Sequence, residues 1–491
     1  MRLYYKQNQY DSPILILELT SYSSSIINEL IELINEIKVF IKYKSPLSYN
    51  PAKAERTSLL SSESPVQNYK GFLNVAAICL LVNNIRYMID NLRIYGLQIH
   101  NIWNHPLSYV NYKFCIQFCI QICFVFLAFF IQKLNFKGYA NSKLTVIFNV
   151  INLTIQLLTP IISKIFTDIT FLSNIMIITL SVIIWLKLIS YAHVMRSIRS
   201  IIKRIEMYEK DEKAKKQPLS EFISETETSA DNLYILHKCY ENPSQLVKIY
   251  DLFYFLAAPT LCFQLIYPRT QKIRKLWLLK RISELILVIM FQTVLWIQYL
   301  DPLLTETYEI QREIQKAPLS FFFERIIKLS IPSFYFWLAG FYGVFQVWLN
   351  VTSELLKYAD RQFYLDWWNC NDFESFWKLW NLPVHNWCVR HFYTPILQKG
   401  ISKVIANFLV FTLSAILHEW IISGALGIIG YHAFIAVWIQ APVIIISKQL
   451  TKYLKIQNSE LGNCIFWISF IFIGQPTAIF IYYEMYRNMY G

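Results

Sequence analysis

His418 sits in the run FTLSAILHEWIISGAL, immediately before Glu419 and near the middle of a long apolar stretch. Ionisable groups at that depth in a membrane are costly, and they face a protein interior or a wet cavity. Asn407, Ser414 and His418 recur at +7 and +4, so they share one helical stripe. Glu419 is turned about 100° away from it. A polar stripe on an apolar helix is the expected lining of a cavity. An imidazole titrating near neutrality is suited to take a proton from an alcohol held there. Two other readings fit the same spacing: a structural histidine bonded to a neighbouring helix, and Ser414 as a nucleophile paired with His418. A protease-type zinc site does not fit, because H-E-x-x-H needs a second His where Ile422 stands.

Two further clusters could bind a planar or phosphorylated group. One is Phe363-Tyr364-Leu365-Asp366-Trp367-Trp368-Asn369. The other runs from Trp380 through Asn381, His385, Asn386 and Arg390 to Tyr393. Aromatic faces stack planar groups, and Arg, His and Asn bind phosphate or amide groups. An aromatic belt at a membrane interface would have the same composition. P-loop, G-x-G-x-x-G, C-x-x-C and zinc-finger spacings are absent from the sequence, so neither nucleotide hydrolysis nor nucleic-acid binding has local support.

The elements that must position these residues are membrane helices. Of 491 residues 55% are hydrophobic and only 16% charged, too few charges to cover a soluble globule of this size. Nine stretches can cross about 30 Å of hydrocarbon. They lie near 72–94, 114–132, 144–163, 171–192, 283–300, 329–355, 404–425, 429–447 and 463–485. The net charge of +13 is distributed unevenly. Residues 1–71, 133–143, 193–282, 356–403 and 448–462 hold 36 of the 46 Lys and Arg, against 7 on the opposite side. The positive-inside rule makes the first side cytosolic and leaves the C-terminus across the membrane. Residues 356–403 are expected as interfacial helices. Residues 249–268, interrupted by Pro259, are expected as a re-entrant or membrane-surface segment.

Residues 1–70 hold no span. Ser24 to Lys42 is expected as an amphipathic helix, 46–65 as a Ser/Pro linker, and 208–232 as a solvated cytosolic stretch. The organisation expected is a cytosolic segment over 1–70 and a catalytic membrane domain over 71–491.

FYLDWWN resembles the FYxDWWN signature of the sterol and diacylglycerol acyltransferases, a branch of the membrane-bound O-acyltransferase (MBOAT) superfamily. NLPVHNWCVRHFYTPIL, GFLNVAAICLLVNNIRYMIDNLRIYG and IYDLFYFLAAPTLCFQLIYPRTQKIRKLWLLKRI are similar to the type 1 diacylglycerol acyltransferase family in particular. SAILHEW resembles the stretch bearing that family's catalytic His. The likeness runs from about residue 71 to the C-terminus. Asn386 stands where the family often has Lys, and Asn407 where a basic residue is expected.

The resemblance implies an all-α polytopic MBOAT fold of nine spans around an intramembrane chamber, in the endoplasmic reticulum. It implies His418 as the catalytic base and Asn381 as its assisting residue. Acyl-CoA and the acceptor would be bound by Phe363, Tyr364, Asp366, Trp367, Trp368, Asn369, Trp377, Trp380, His385, Arg390 and Tyr393. Ser414, Glu419 and Gln475 would lie at the chamber. The implied reaction joins acyl-CoA to diacylglycerol, without metal or redox cofactor, in a homodimer or homotetramer. A sterol O-acyltransferase is the nearest alternative. A proton-linked transporter relaying through His418 is a more distant one.

Overall fold

The structure is a computed structural model that describes residues 3–6, 14–17, 28–33, 35, 70–98, 112–167, 169–211, 218–219, 223, 229–314, 318–453 and 460–490. The linker at 46–65 lies outside the described residues. So do most of the expected helix at 24–42 and most of the polar stretch at 208–232. Contacts divide the chain into two compact units, Met1–Tyr87 and Met88–Gly491.

In the first unit, β1 (Leu3–Lys6) and β2 (Ile14–Leu17) form an antiparallel hairpin in the register Leu3↔Leu17 to Lys6↔Ile14. Residues 28–33 and 35 are helical, inside the expected amphipathic stretch. Helix α1 (Lys70–Tyr95) begins in this unit and ends in the next.

The second unit is almost entirely helical. Helices α2 (Lys113–Phe136), α3 (Ser142–Phe166) and α4 (Phe171–Lys210) pack together. The 40-residue α4 is the mast of the fold. Its buried seam reads Ile177, Ser181, Ile184, Leu188, Tyr191, Met195, Ile198, Ile202, Ile205. Steps of four and three alternate without a break, so one face stays against its neighbours along the whole helix. Polar side chains pin the helices together where hydrophobic driving force is lacking. Gln156 Nε2 donates to Gln121 Oε1 at 2.5 Å, Ser181 O at 2.9 Å and Ser181 Oγ at 3.0 Å.

Short α5 (Ala230–Lys238) and α6 (Ile249–Ala257) follow. Helix α6 ends before Pro259, and the chain then runs without helix to α7 (Lys275–Val294). The break falls inside the expected 249–268 segment, where Leu252, Phe255, Ala258 and Phe263 are fully buried. Helix α7 passes through π-helical Leu295–Leu300 into α8 (Asp301–Glu313). Likewise α9 (Leu319–Phe341) passes through π-helical Tyr342–Trp348 into α10 (Leu349–Leu355).

The segment after α10 is made of short pieces. They are α11 (Phe373–Leu379), α12 (Leu382–Cys388), a π-helical turn Val389–Tyr393, and α13 (Thr394–Gln398). Helix α14 (Lys403–Leu426) starts at the Ser402 cap and stops at Gly427, whose φ of 73° is the left-handed conformation glycine adopts freely. Helices α15 (His432–Trp438), α16 (Gln440–Tyr453) and α17 (Glu460–Ile468) lead through π-helical Ser469–Gly474 into α18 (Gln475–Tyr490).

Six described helices are long and apolar enough to cross a membrane: Lys113–Phe136, Ser142–Phe166, Phe171–Lys210, Lys403–Leu426, His432–Gln449 and Gly462–Tyr490. The other three expected spans also fall on helical chain, within 70–95, 275–313 and 319–355.

Candidate active site

Helix α14 carries the polar stripe as its spacing required. His418 is exposed and not packed into the core, and its Nδ1 lies 2.7 Å from the carbonyl oxygen of Ser414, one turn back. A carbonyl oxygen can only accept, so Nδ1 carries the proton. In the neutral ring Nε2 is then a bare lone pair. Ser414 Oγ is 3.4 Å from the same Nδ1, so the hydroxyl faces the protonated nitrogen. Asn407 is exposed on the same stripe.

Glu419 points elsewhere. Its carboxylate accepts from Phe434 N at 2.9 Å, from Ser423 Oγ, and from Tyr482 Oη at 2.8 and 2.7 Å to its two oxygens. Tyr482 Oη in turn accepts from Ala433 N at 2.8 Å. A β-carbon on Gly430 would come within 3.0 Å of Glu419 Oε1, so the turn closes tightly over the carboxylate. Glu419 therefore ties α14 to the start of α15 and to α18, in line with its turn away from the stripe. Tyr482→Phe removes a hydroxyl bonded to a charged group, an interaction worth about 1.5–3 kcal/mol. The variant is expected to unfold at a lower temperature in detergent. An unchanged melting temperature would show that the turn holds without it.

Asn381 is fixed by the chain around it. Leu365 N donates to Leu379 O at 2.9 Å, and Leu382 N to Phe363 O at 3.0 Å. The FYLDWWN strand thus brackets Trp380 and Asn381 with backbone bonds. Asn381 caps α12: its Oδ1 accepts from Val384 N at 3.2 Å, and Pro383 occupies the first turn. With the oxygen held by the cap, Nδ2 has no protein acceptor among the described residues.

The aromatic clusters divide into packing and exposed members. Phe363 and Trp367 are 3% exposed, Trp367 among Trp337, Phe341, Phe376 and Trp467. Both build the core. Tyr364 Oη donates to Gln346 Oε1 at 2.7 Å, on the π-helical turn before α10. Asp366, Trp368 and Asn369 are exposed, with Asn369 Nδ2 donating to Asp366 Oδ2 at 3.4 Å and the Trp368 ring against Tyr364 and Trp367. Trp380 stacks on Phe376 with 3° between planes. Trp377 meets Phe411, which lies on the His418 stripe four residues beyond Asn407. That contact joins the interfacial aromatics to α14.

Helix α4 anchors the rest. Trp387 Nε1 donates to Leu186 O at 2.8 Å, and Ser190 Oγ lies 2.7 Å from His391 Nε2 while accepting from Phe263 N at 2.8 Å. Burial first, then neighbouring Arg390 and His193, push the His391 pKa down to about 3, so it acts as a neutral hydrogen-bonding hub. Burial, with Lys378 beside it, also lowers the pKa of half-buried His385. Arg390 Nη1 donates to Phe263 O at 3.0 Å, which binds the π-helical turn to the non-helical chain after α6. Tyr393 is half-buried. Gln475 opens α18 directly after a π-helical stretch, and its Oε1 is buried with no partner among the described residues.

The membrane-bound O-acyltransferase family model matches residues 166–483. The chain belongs to that family. It is 33% identical over 440 residues to "Diacylglycerol O-acyltransferase 1A" of Glycine max, covering 89% of this chain and 82% of the relative. It is 32% identical over 450 residues to "Diacylglycerol O-acyltransferase 1" of Arabidopsis thaliana, with 90% and 79% covered. For the protein of that name from Dictyostelium discoideum the identity is 33% over 446 residues, with 88% and 66% covered.

In this O-acyltransferase two supporting residues escaped the sequence reading. The ammonium of Lys187, fully enclosed, donates to the carbonyls of Phe255, Leu256 and Ala258 at 2.9, 2.8 and 2.7 Å, closing the C-terminus of α6. Glu354, wholly buried, pairs with Arg274 at 2.8 Å and Arg361 at 2.6 Å, clamping the chain before α7 to the approach of FYLDWWN. For Lys187 a lone charge in an apolar run was the available signal, but its partners and Arg274 of the Glu354 cluster are remote in sequence.

Proposed function

We propose that the chain transfers a fatty acyl group from acyl-CoA to the free hydroxyl of diacylglycerol, giving triacylglycerol and CoA. The observation that carries this is the His418 ring: Nδ1 is held by a carbonyl oxygen one turn back, and Nε2 is left as an unprotonated base. Nε2 takes the hydroxyl proton. The alcohol oxygen attacks the thioester carbonyl, and the C–S bond breaks as CoA leaves. Asn381 Nδ2 donates to the carbonyl oxygen as its charge grows. The exchange is redox-neutral, and its charge development is met by His418 and Asn381, so it needs no cofactor.

The choice of acceptor is supported by the relatives, whose names specify diacylglycerol. The sequence likeness supports the endoplasmic reticulum, and the basic-residue distribution supports a cytosolic N-terminus and a lumenal C-terminus. A homodimer or homotetramer is in keeping with the sequence likeness. Microsomes given labelled acyl-CoA with diacylglycerol or with a sterol test the acceptor. Label is expected in triacylglycerol, at least tenfold above sterol ester. Preferential sterol esterification would overturn the assignment while leaving His418 as the base.

A further inference from the structure

Helices α2, α3 and α4 line an open cavity of about 270 Å³ that contains none of the residues assigned to acyl-CoA, acceptor or catalysis, although His193 on its edge lies 3.1 Å from His391 Nδ1. One wall carries Arg196, Arg199 and Lys203 at steps of three and four, which sets them on one face of α4 beyond the expected span 171–192. Facing them are amide and hydroxyl groups: Asn135, Thr145 and Asn149. No acidic residue lines the cavity, and none of the three cations has a carboxylate partner among the described residues. Asn135 and Thr145 hold each other at 2.6 Å, and Asn149 Nδ2 donates to Thr145 O at 2.8 Å, so the polar wall is built and rigid. Arg199 lies over the Phe136 ring at 5.5 Å, which fixes its guanidinium.

Basic residues on cytosolic loops are ordinary, but those stand on convex, solvated faces. Here three line a concave site between α2, α3 and α4 just beyond the expected span 171–192, Arg199 half-buried and Arg196 and Lys203 exposed at its mouth. Clustered like charges in such a place repel one another unless an anion sits among them, and basic pockets between spans at the cytosolic side suit phosphorylated headgroups. We propose that this cavity binds an anionic phosphate group, held by Arg196, Arg199 and Lys203 with Asn135 and Asn149 at its oxygens. The bilayer can supply that group on a phospholipid and the cytosol can supply it as free phosphate.

The test uses full-length protein in phosphatidylcholine nanodiscs, comparing wild type with Arg196→Gln/Lys203→Gln. One arm adds labelled phosphatidylinositol to the nanodisc lipid, and the other adds inorganic phosphate to the buffer. Each surface cation is worth about fivefold in affinity for an anionic headgroup, so the double variant is expected to bind roughly thirtyfold more weakly. Its acyl transfer and elution volume are expected to be unchanged, which reports a folded protein. Retention in the lipid arm alone assigns the phospholipid source, and a response to phosphate alone assigns the soluble one. Equal retention by wild type and variant in both arms would overturn the site.

Discussion

His418→Ala is expected to lower acyl transfer by about 10²–10⁴, the range that a positioned general base contributes. Protein level, elution volume and acyl-CoA binding are expected to persist, because His418 is exposed and its recorded bonds are to Ser414 of its own helix. The direction of those bonds separates two mechanisms. For Ser414 to attack the thioester, the nitrogen facing its Oγ must be the one that accepts a proton. That nitrogen is Nδ1, and it already carries a proton toward the Ser414 carbonyl oxygen. The free lone pair is on Nε2, directed away from Ser414 and toward whatever occupies the stripe. Ser414→Ala is therefore expected to retain most activity, and labelled acyl-CoA is expected to leave no covalent acyl-enzyme. Turnover in His418→Ala within tenfold of wild type would remove the base assignment, and a trapped acyl-serine would replace direct transfer with a two-step route.

What the sequence made legible was periodic or contiguous. The His418 stripe needs only one helix, so the spacing of Asn407, Ser414 and His418 placed it correctly. The same single-helix argument turned Glu419 away from the stripe but could not say toward what. Its partners come from Phe434 and from Tyr482, 63 residues on. The buried seam of α4 is a repeat and could be read directly, whereas the Lys187 carbonyl clasp and the Glu354 pair are long-range closures. FYLDWWN shows a further limit. Aromatic density looks the same whether rings stack a ligand or one another, and only burial separates Phe363 and Trp367 from exposed Trp368. The π-helical turns gave no signal either. Each inserts one residue into a helix that otherwise keeps its hydrophobic pattern, yet two of them lie beside Gln475 and around Arg390.

Asn381 presents the sharpest choice between a structural and a chemical role, because its side chain visibly performs one of them. Its Oδ1 caps α12, and an Ala there costs about 0.5–2 kcal/mol through the lost cap alone. A slower Asn381→Ala enzyme would therefore prove little. Asn381→Ser and Asn381→Asp separate the roles, since Ser and Asp cap helices about as well as Asn while neither presents the amide donor. If Nδ2 stabilises the oxyanion, both variants keep the wild-type melting temperature and lose about 10²–10³ in turnover, the usual cost of one such donor. The carboxylate variant falls further, because a negative charge would then face a developing one. The loss is expected in kcat more than in KM, since the bond strengthens only as the carbonyl oxygen becomes charged. If capping is the whole role, Asn381→Ser turns over near wild type and only Asn381→Ala melts early. That outcome would remove Asn381 from the chemistry and leave His418 to act without a side-chain donor from α12.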